Sequence, residues 1–80
     1  MKIITVDASY FDDHKLAHEY LAKKLNFPAY YGHNLDALAD CLSELARDTG
    51  IIIRTENCGR YSEDFIETFV DVIPERVFLI

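Results

Sequence analysis

Residues 27–45, FPAYYGHNLDALADCLSEL, are the stretch that decides the fold of this chain. The stretch begins as a short aromatic segment, residues 27–32, in which Gly32 is expected to allow a tight turn, and it continues into a helical pattern. Asn34 stands where an N-cap is expected, and leucines then recur at spacings of three and four, namely Leu35, Leu38, Leu42 and Leu45. This spacing is typical of an amphipathic helix, and Asp36 and Asp40 fall on its opposite face. The stretch predicts a loop with two tyrosines, followed by a core-anchored helix that presents two carboxylates.

Three short apolar runs predict strands around this helix. They are residues 2–6, KIITV, residues 51–55, which begin with three isoleucines, and residues 76–80, RVFLI. All three are expected to be buried strands. The run of three isoleucines does not alternate with polar residues, so it predicts a strand that is covered on both faces, as in a parallel sheet. The central helix is expected to run to about Arg47, with Gly50 near its C′ position.

Two further helices are predicted. The first has a cap at Asp12 or Asp13 and ends at Asn26, and the other has a cap at Ser62 and ends before Pro74. Apolar spacing predicts their buried faces, which are Leu16, Ala17, Tyr20, Leu21 and Leu25 in the first, and Phe65, Ile66, Phe69, Val70 and Ile73 in the other. The order strand, helix, helix, strand, helix, strand predicts an α/β fold with a small three-stranded parallel sheet packed with three main helices.

Length and composition predict a single domain over residues 1–80, with half of the residues hydrophobic. No apolar run approaches the roughly 18 residues that a membrane span needs. The first ten residues, MKIITVDASY, do not have the pattern of a signal peptide, so a cytoplasmic location is expected, with no membrane partner. In that reducing compartment Cys41 and Cys58 are interpreted as free thiols.

The formal net charge of −6 argues against direct binding of nucleic acid and favours a basic partner. His14 and His18 share a helix face, but the Glu of an H-E-x-x-H motif is missing, so they are interpreted as exposed histidines and no metal or cofactor is expected. Asp36, Asp40 and His33 could form the acid–base group of a small hydrolase, although paired carboxylates on a helix are more often a solvated face.

Residues 30–42, YYGHNLDALADCL, resemble the signature of the barstar family, intracellular inhibitors of a secreted bacterial ribonuclease. The preceding Phe27-Pro28-Ala29 is similar to the Leu-Pro-x lead-in of that family. The match is ungapped, and the order of strands and helices along the whole chain is compatible with it.

The resemblance implies an inhibitor or immunity protein of the toxin–antitoxin kind, without catalytic activity, that closes a nuclease active site with the central helix and its loop. The implied partner is a basic, extracellular-type bacterial ribonuclease or a related toxin. Asp40 would enter the phosphate-binding site, Asp36 would pair with basic groups beside it, and Tyr30 would pack on a catalytic histidine. The partner-binding residues implied in this way are Tyr30, Gly32, Asn34, Asp36, Ala39, Asp40 and, on the last helix, Asp71.

Two positions depart from the family pattern. Ala39 stands where barstar has tryptophan, and His33 stands where it has glutamate, so the identity of the partner is left open. One alternative to the inhibitor is a barstar-fold interaction module that binds a different basic partner or a second copy of itself, as a homodimer. Another alternative is the small hydrolase described above.

Overall fold

The computed structural model describes residues 2–56, 59 and 62–80. Its elements follow in the order β1 (Lys2–Asp7), a 3₁₀ helix (Ala8–Asp12), α1 (His14–Lys24), α2 (Leu35–Ser43), β2 (Thr49–Arg54), α3 (Ser62–Val72), a second 3₁₀ helix (Pro74–Arg76) and β3 (Val77–Leu79). Within these residues the three strands and three α-helices confirm the predicted α/β class. The predicted turn at residues 57–60 and the Cys58 thiol lie largely outside the described residues.

The three strands form one parallel sheet in the order β1-β2-β3. Val6 pairs with Ile53, which in turn pairs with Leu79. The strand residues of the core cluster come from one face of the sheet only, so β1 and β3 are less buried than predicted; in β2, Ile51 and Ile53 are buried and Ile52 is half-buried. On the other face Ile3 is 46% exposed and Phe78 52%, because no described helix crosses it.

The core lies between the sheet and the helices. Its largest fully buried side chains are Phe11, Phe65, Phe69, Leu21, Leu38, Leu42, Ile51, Ile53, Ile73 and Val6. Two residues of the predicted buried faces are exposed instead, Leu16 by 54% and Val70 by 40%. The buried face of α1 is centred one position away from Leu16, so Ala17 and His18 are enclosed in its place.

The central helix ends earlier than predicted, at Ser43, and Gly50 is not its cap. The backbone N–H of Glu44 closes the helix by donating to the carbonyls of Cys41 and Leu42. Gly50 lies inside β2, where a Cβ would come within 3.1 Å of the Ile3 side chain. Gly50 thus lies at a close contact between β1 and β2, and not at a left-handed helix end.

The N-caps of α1 and α2 are those predicted, whereas Ser62, the predicted cap of the third helix, is not an N-cap. Asp13 accepts a hydrogen bond from the Leu16 N–H and so caps α1. Ser62 is already the first residue of α3, and its hydroxyl donates to the Gly59 carbonyl at 2.6 Å.

Candidate partner-binding site

Residues 27–34 connect α1 to α2 and are called the aromatic loop below. The chain reverses at Asn26, whose φ of 56° lies in the left-handed region that asparagine tolerates better than most residues. The Phe27 N–H then donates to the Ala22 carbonyl at 2.9 Å, and the Tyr31 N–H donates to the Pro28 carbonyl at 3.0 Å. The first of these hydrogen bonds ties the loop to the end of α1, and the second closes a turn within the loop.

The two tyrosines of the aromatic loop point to opposite environments. Tyr30 is 85% exposed, whereas Tyr31 is only 6% exposed and belongs to the core. The Tyr31 ring packs on Phe27 with 4.8 Å between ring centroids. An exposed aromatic ring on an anchored loop suits contact with another protein, because a tyrosine offers a large rigid surface and a polar tip.

The sequence did not predict what holds Tyr31 in place. Its hydroxyl lies 2.6 Å from Nδ1 of His18, and His18 is buried instead of exposed as predicted. Burial raises the pKa of the Tyr31 hydroxyl, so this group keeps its proton. A buried imidazole requires such a polar partner. In the sequence, the available signal that His18 faces the core was its helical spacing from Leu21 and Leu25.

Asn34 joins the loop to the helix. Its side-chain oxygen accepts from the Ala37 N–H at 2.7 Å, which confirms the predicted N-cap, and its amide group donates to the Gly32 carbonyl at 3.3 Å. The tight turn expected at Gly32 is instead made at His33, whose φ is 54°. Gly32 serves close packing, since a Cβ there would lie 3.3 Å from the Ala37 side chain.

Three exposed carboxylates follow α2 at intervals of four residues and form what is called the acidic face, Asp36, Asp40 and Glu44. Among the described residues, no lysine or arginine side chain lies within 4.0 Å of them; the two ion pairs, Arg54–Glu56 and Arg76–Glu75, lie elsewhere. The acidic face is therefore open to a cationic partner.

An open pocket of about 490 Å³ lies where the acidic face meets the aromatic loop. It is lined by Leu25, Asn26, Phe27, Pro28, Tyr30, Tyr31, Gly32, Ala37, Asp40, Cys41, Glu44 and Leu45. Asp40 and Glu44 give this pocket an anionic rim. Burial raises the pKa of the Cys41 thiol in the lining, and these two carboxylates raise it further. Apolar walls with an anionic rim suit a side chain that has an apolar stem and a cationic end.

The pocket brings together only part of the predicted site. Tyr30, Gly32 and Asp40 line it, and Asn34 supports it from behind. Asp36 and half-buried Ala39 are on α2 outside the lining, and Asp71 is exposed on α3, which packs against α2. Glu44 was not among the predicted residues, although its spacing of four from Asp40 was visible in the sequence.

No group of three or more His, Cys, Asp or Glu side chains in the described part of the chain is arranged to hold a metal ion. The helices of residues 2–56 and 62–80 are too short and too polar for any of them to cross a bilayer.

The fold and the site define a small α/β protein with an exposed acidic face beside an open pocket. Comparison with known proteins then places the chain in one family. Its residues 1–76 match the family model described as "Barstar (barnase inhibitor)". The chain is also 36% identical over 77 residues to a protein of Bacillus subtilis (strain 168) named "Putative ribonuclease inhibitor YrdF", a match that covers 96% of this chain and 82% of the relative. The chain belongs to the barstar family.

Proposed function

We propose that this protein inhibits a ribonuclease by binding across its active site, and that it has no catalytic activity of its own. The observation that carries the proposal is the junction of the acidic face with the aromatic loop. There, Asp40 and Glu44 border a pocket beside the exposed Tyr30 ring, and among the described residues no cation neutralises them. Membership of the barstar family, and the name of the relative, support the same function.

The chemistry of the partner follows from the charge of the surface. A ribonuclease active site must bind the phosphates of RNA, so it is lined by cationic groups. Carboxylates at intervals of four on a helix imitate those phosphates but offer no bond to cleave. In this arrangement Asp40 occupies the phosphate site, Asp36 pairs with cations at its edge, and Tyr30 packs on a ring of the enzyme.

The proposal also gives a role to Glu44, which borders the pocket. A lysine, arginine or protonated histidine of the ribonuclease can place its apolar part against Phe27 and Leu45 while its charge meets Asp40 and Glu44. Ala39 leaves space beside this contact. Asp71 extends the negative surface onto α3 and meets basic residues at the rim of the interface.

Two alternatives remain to be tested against this proposal. A barstar-family module for some other basic partner, or for a second copy of this chain, would use the same acidic face. The small hydrolase has less support, because the His33 ring packs on Tyr31 and His18 at centroid distances of 5.1 and 6.1 Å, and Asp36 is outside the pocket that Asp40 lines.

The experiment measures cleavage of RNA by barnase and by the secreted ribonucleases of the producing organism, with increasing amounts of this protein. We expect one-to-one inhibition of at least one of these enzymes. The Asp40→Asn variant, which removes the charge at nearly constant shape, should bind roughly 30-fold or more weakly, because it leaves a cation of the enzyme buried without its partner.

Glu19→Gln is the matched control, since Glu19 is an exposed carboxylate on α1. It should inhibit like the unmodified protein, and both variants should unfold at the same urea concentration as the unmodified protein. Equal inhibition by Asp40→Asn would contradict the site, and failure to inhibit any enzyme of the panel would contradict the function. Cleavage of RNA by the protein alone would favour the hydrolase.

A further inference from the structure

The outer edge of β3 is open. In the strand order β1-β2-β3, no strand of the described residues lies beyond β3. Ile80 continues the pairing with β2, since its N–H donates to the Ile53 carbonyl at 3.0 Å and its carbonyl accepts from the Thr55 N–H at 2.9 Å. The backbone groups of successive residues in a strand point to alternate sides, so those of Val77 and Leu79 point away from β2.

The side chains along this edge are apolar and exposed. Phe78, Leu79 and Ile80 each expose half of their surface or more. Residues 77–80 contain no charged side chain, and none of them lines the pocket or belongs to the acidic face. An edge strand that is apolar and uncovered is a template for pairing with another strand.

The β1 edge of the sheet differs from the β3 edge. The Lys2 N–H donates to the Asp48 carbonyl on the side of β2, so by the same alternation the Asp7 N–H points outward. That N–H donates to the Tyr20 hydroxyl at 2.9 Å, and the exposed Lys2 adds a charge to this edge. Because a covered or charged edge resists pairing, β3 is the edge that suits another strand.

The charges around β3 suit a second copy of this chain. Arg54 lies 3.8 Å from Glu56 at the end of the sheet where the strands finish, and Arg76 lies 3.9 Å from Glu75 where β3 begins. An antiparallel pair of β3 strands brings the first end of one copy beside the second end of the other, so charges of both signs meet there. A chain with a net charge of −6 needs such a locally neutral surface to associate with itself.

We propose that two copies of this chain pair along β3, as antiparallel strands related by a two-fold axis, so that their sheets become continuous. The axis passes Phe78, which lies opposite Phe78 of the second copy as a close pair without hydrogen bonds between the two residues. On either side of it, Val77 of one copy and Leu79 of the other exchange two backbone hydrogen bonds. This contact is separate from self-association through the acidic face, and it does not depend on the proposed function.

The exposed apolar area indicates a weak dimer. Phe78, Leu79 and Ile80 leave roughly 300 Å² of apolar surface per copy, a patch size that is often functional. Because homodimer interfaces are about 65% apolar, the interface of two copies totals about 1,000 Å², near the lower limit for specific association. The dimer should therefore form at high protein concentration and dissociate on dilution. Assembly ends at two copies, since each copy uses its β3 edge and its β1 edge is closed.

The first test is sedimentation velocity of the whole chain from about 1 μM to about 1 mM. We expect a monomer at the lowest concentration and a dimer at the highest. The Phe78→Lys variant places two lysines directly opposite each other at the axis, so it should weaken dimerisation roughly tenfold or more. Leu16→Lys is the matched control, because Leu16 is an equally exposed leucine on α1 and the change in charge is the same. It should dimerise like the unmodified protein.

Three outcomes of sedimentation overturn the inference. They are a monomer over the whole range, growth beyond the dimer, and a dimer that Phe78→Lys weakens no more than Leu16→Lys does. The last result would mean that the copies meet on another surface. Urea unfolding of both variants at the lowest concentration checks that each is folded as a monomer.

The second test uses the unmodified protein and distinguishes edge pairing from stacking of sheet faces. Amide hydrogen exchange is compared between the lowest and the highest concentration. The Leu79 amide, which points outward, should gain roughly tenfold or more in protection, whereas the Ile80 amide is already bonded to Ile53 and should gain less. A dimer in which the Leu79 amide gains no more than the Ile80 amide is joined in another way, and the proposed pairing is then wrong.

Discussion

Leu38 and Leu16 are both helical leucines, but only Leu38 is enclosed by the core. Leu38 has no exposed surface, whereas Leu16 is 54% exposed. Leu38 also lies two positions before Asp40, so one turn of α2 carries both an anchor for the fold and a proposed contact for the partner.

The Leu38→Ala variant should lose about 2–5 kcal/mol of unfolding free energy, because the core cannot fully close the space that the side chain leaves. Urea unfolding measures this loss. Leu16→Ala is the matched control and should change stability by about 0.5 kcal/mol or less. Similar losses in the two variants would contradict the burial pattern of α1 and α2.

The burial of His18 and the backbone conformation of His33 could not be assigned from the sequence. The i, i+4 spacing of His14 and His18 was visible, but not that α1 is rotated so that His18 faces Tyr31. Likewise, the sequence favoured Gly32 for the turn, and the left-handed conformation is at His33. For His18 the decisive contact comes from a neighbouring element, and spacing along one helix does not reveal it.

At the scale of elements, the aromatic loop and α2 form one continuous unit, which carries most of the residues proposed to bind the partner. Asn34 connects them, since its side chain both caps the first turn of α2 and holds the Gly32 carbonyl. A helix of nine residues has few internal hydrogen bonds to spare, so its cap matters for the orientation of Asp36 and Asp40.

The Asn34→Ala variant should therefore lose about 1 kcal/mol of unfolding free energy, and hydrogen exchange should increase in the first turn of α2. Asn34→Asp is the matched control, because aspartate also caps helices and retains the acceptor. It should restore most of the lost stability. Equal destabilisation by alanine and aspartate would mean that the amide contact to Gly32, and not the cap, is the important one.

The order of the strands in the chain was predicted well, but the burial of the two faces of the sheet was predicted less well. The three strands, their parallel arrangement and the helices between them follow from short apolar runs separated by helical patterns. The runs do not show how many helices cover each face. All the core contacts of the sheet are on one face, so Ile3 and Phe78 remain exposed where buried strands were expected.

At the scale of the whole molecule, charge is the property that most affects encounter with a basic partner. The chain has 14 acidic and 8 basic residues, and the acidic face concentrates part of this excess next to the pocket. Negative charge gathered on a surface raises the rate at which a cationic protein arrives in the correct orientation.

Association with an inhibited ribonuclease should slow by roughly tenfold or more as salt increases from about 0.05 M to about 1 M, because the screening length shortens to about 3 Å. Stopped-flow measurement of the association rate gives this dependence. The Asp40→Asn variant should show a shallower slope than Glu19→Gln. A rate that does not change with salt would mean that the acidic face does not steer the encounter.

The sequence by itself determined the class of fold, the order of the elements, the buried leucines of α2, the Asn34 cap and the outward-facing Asp36 and Asp40. These features depend on periodicity and on local hydrogen bonds, both of which are written within a single segment of chain. Only the tertiary structure decided that Tyr31 is buried on His18, that Glu44 joins Asp40 at a pocket, and that one face of the sheet is left open. Those features depend on the rotation of each helix about its axis and on which side of the sheet the helices pack, and these are settled by contacts between segments far apart in the chain.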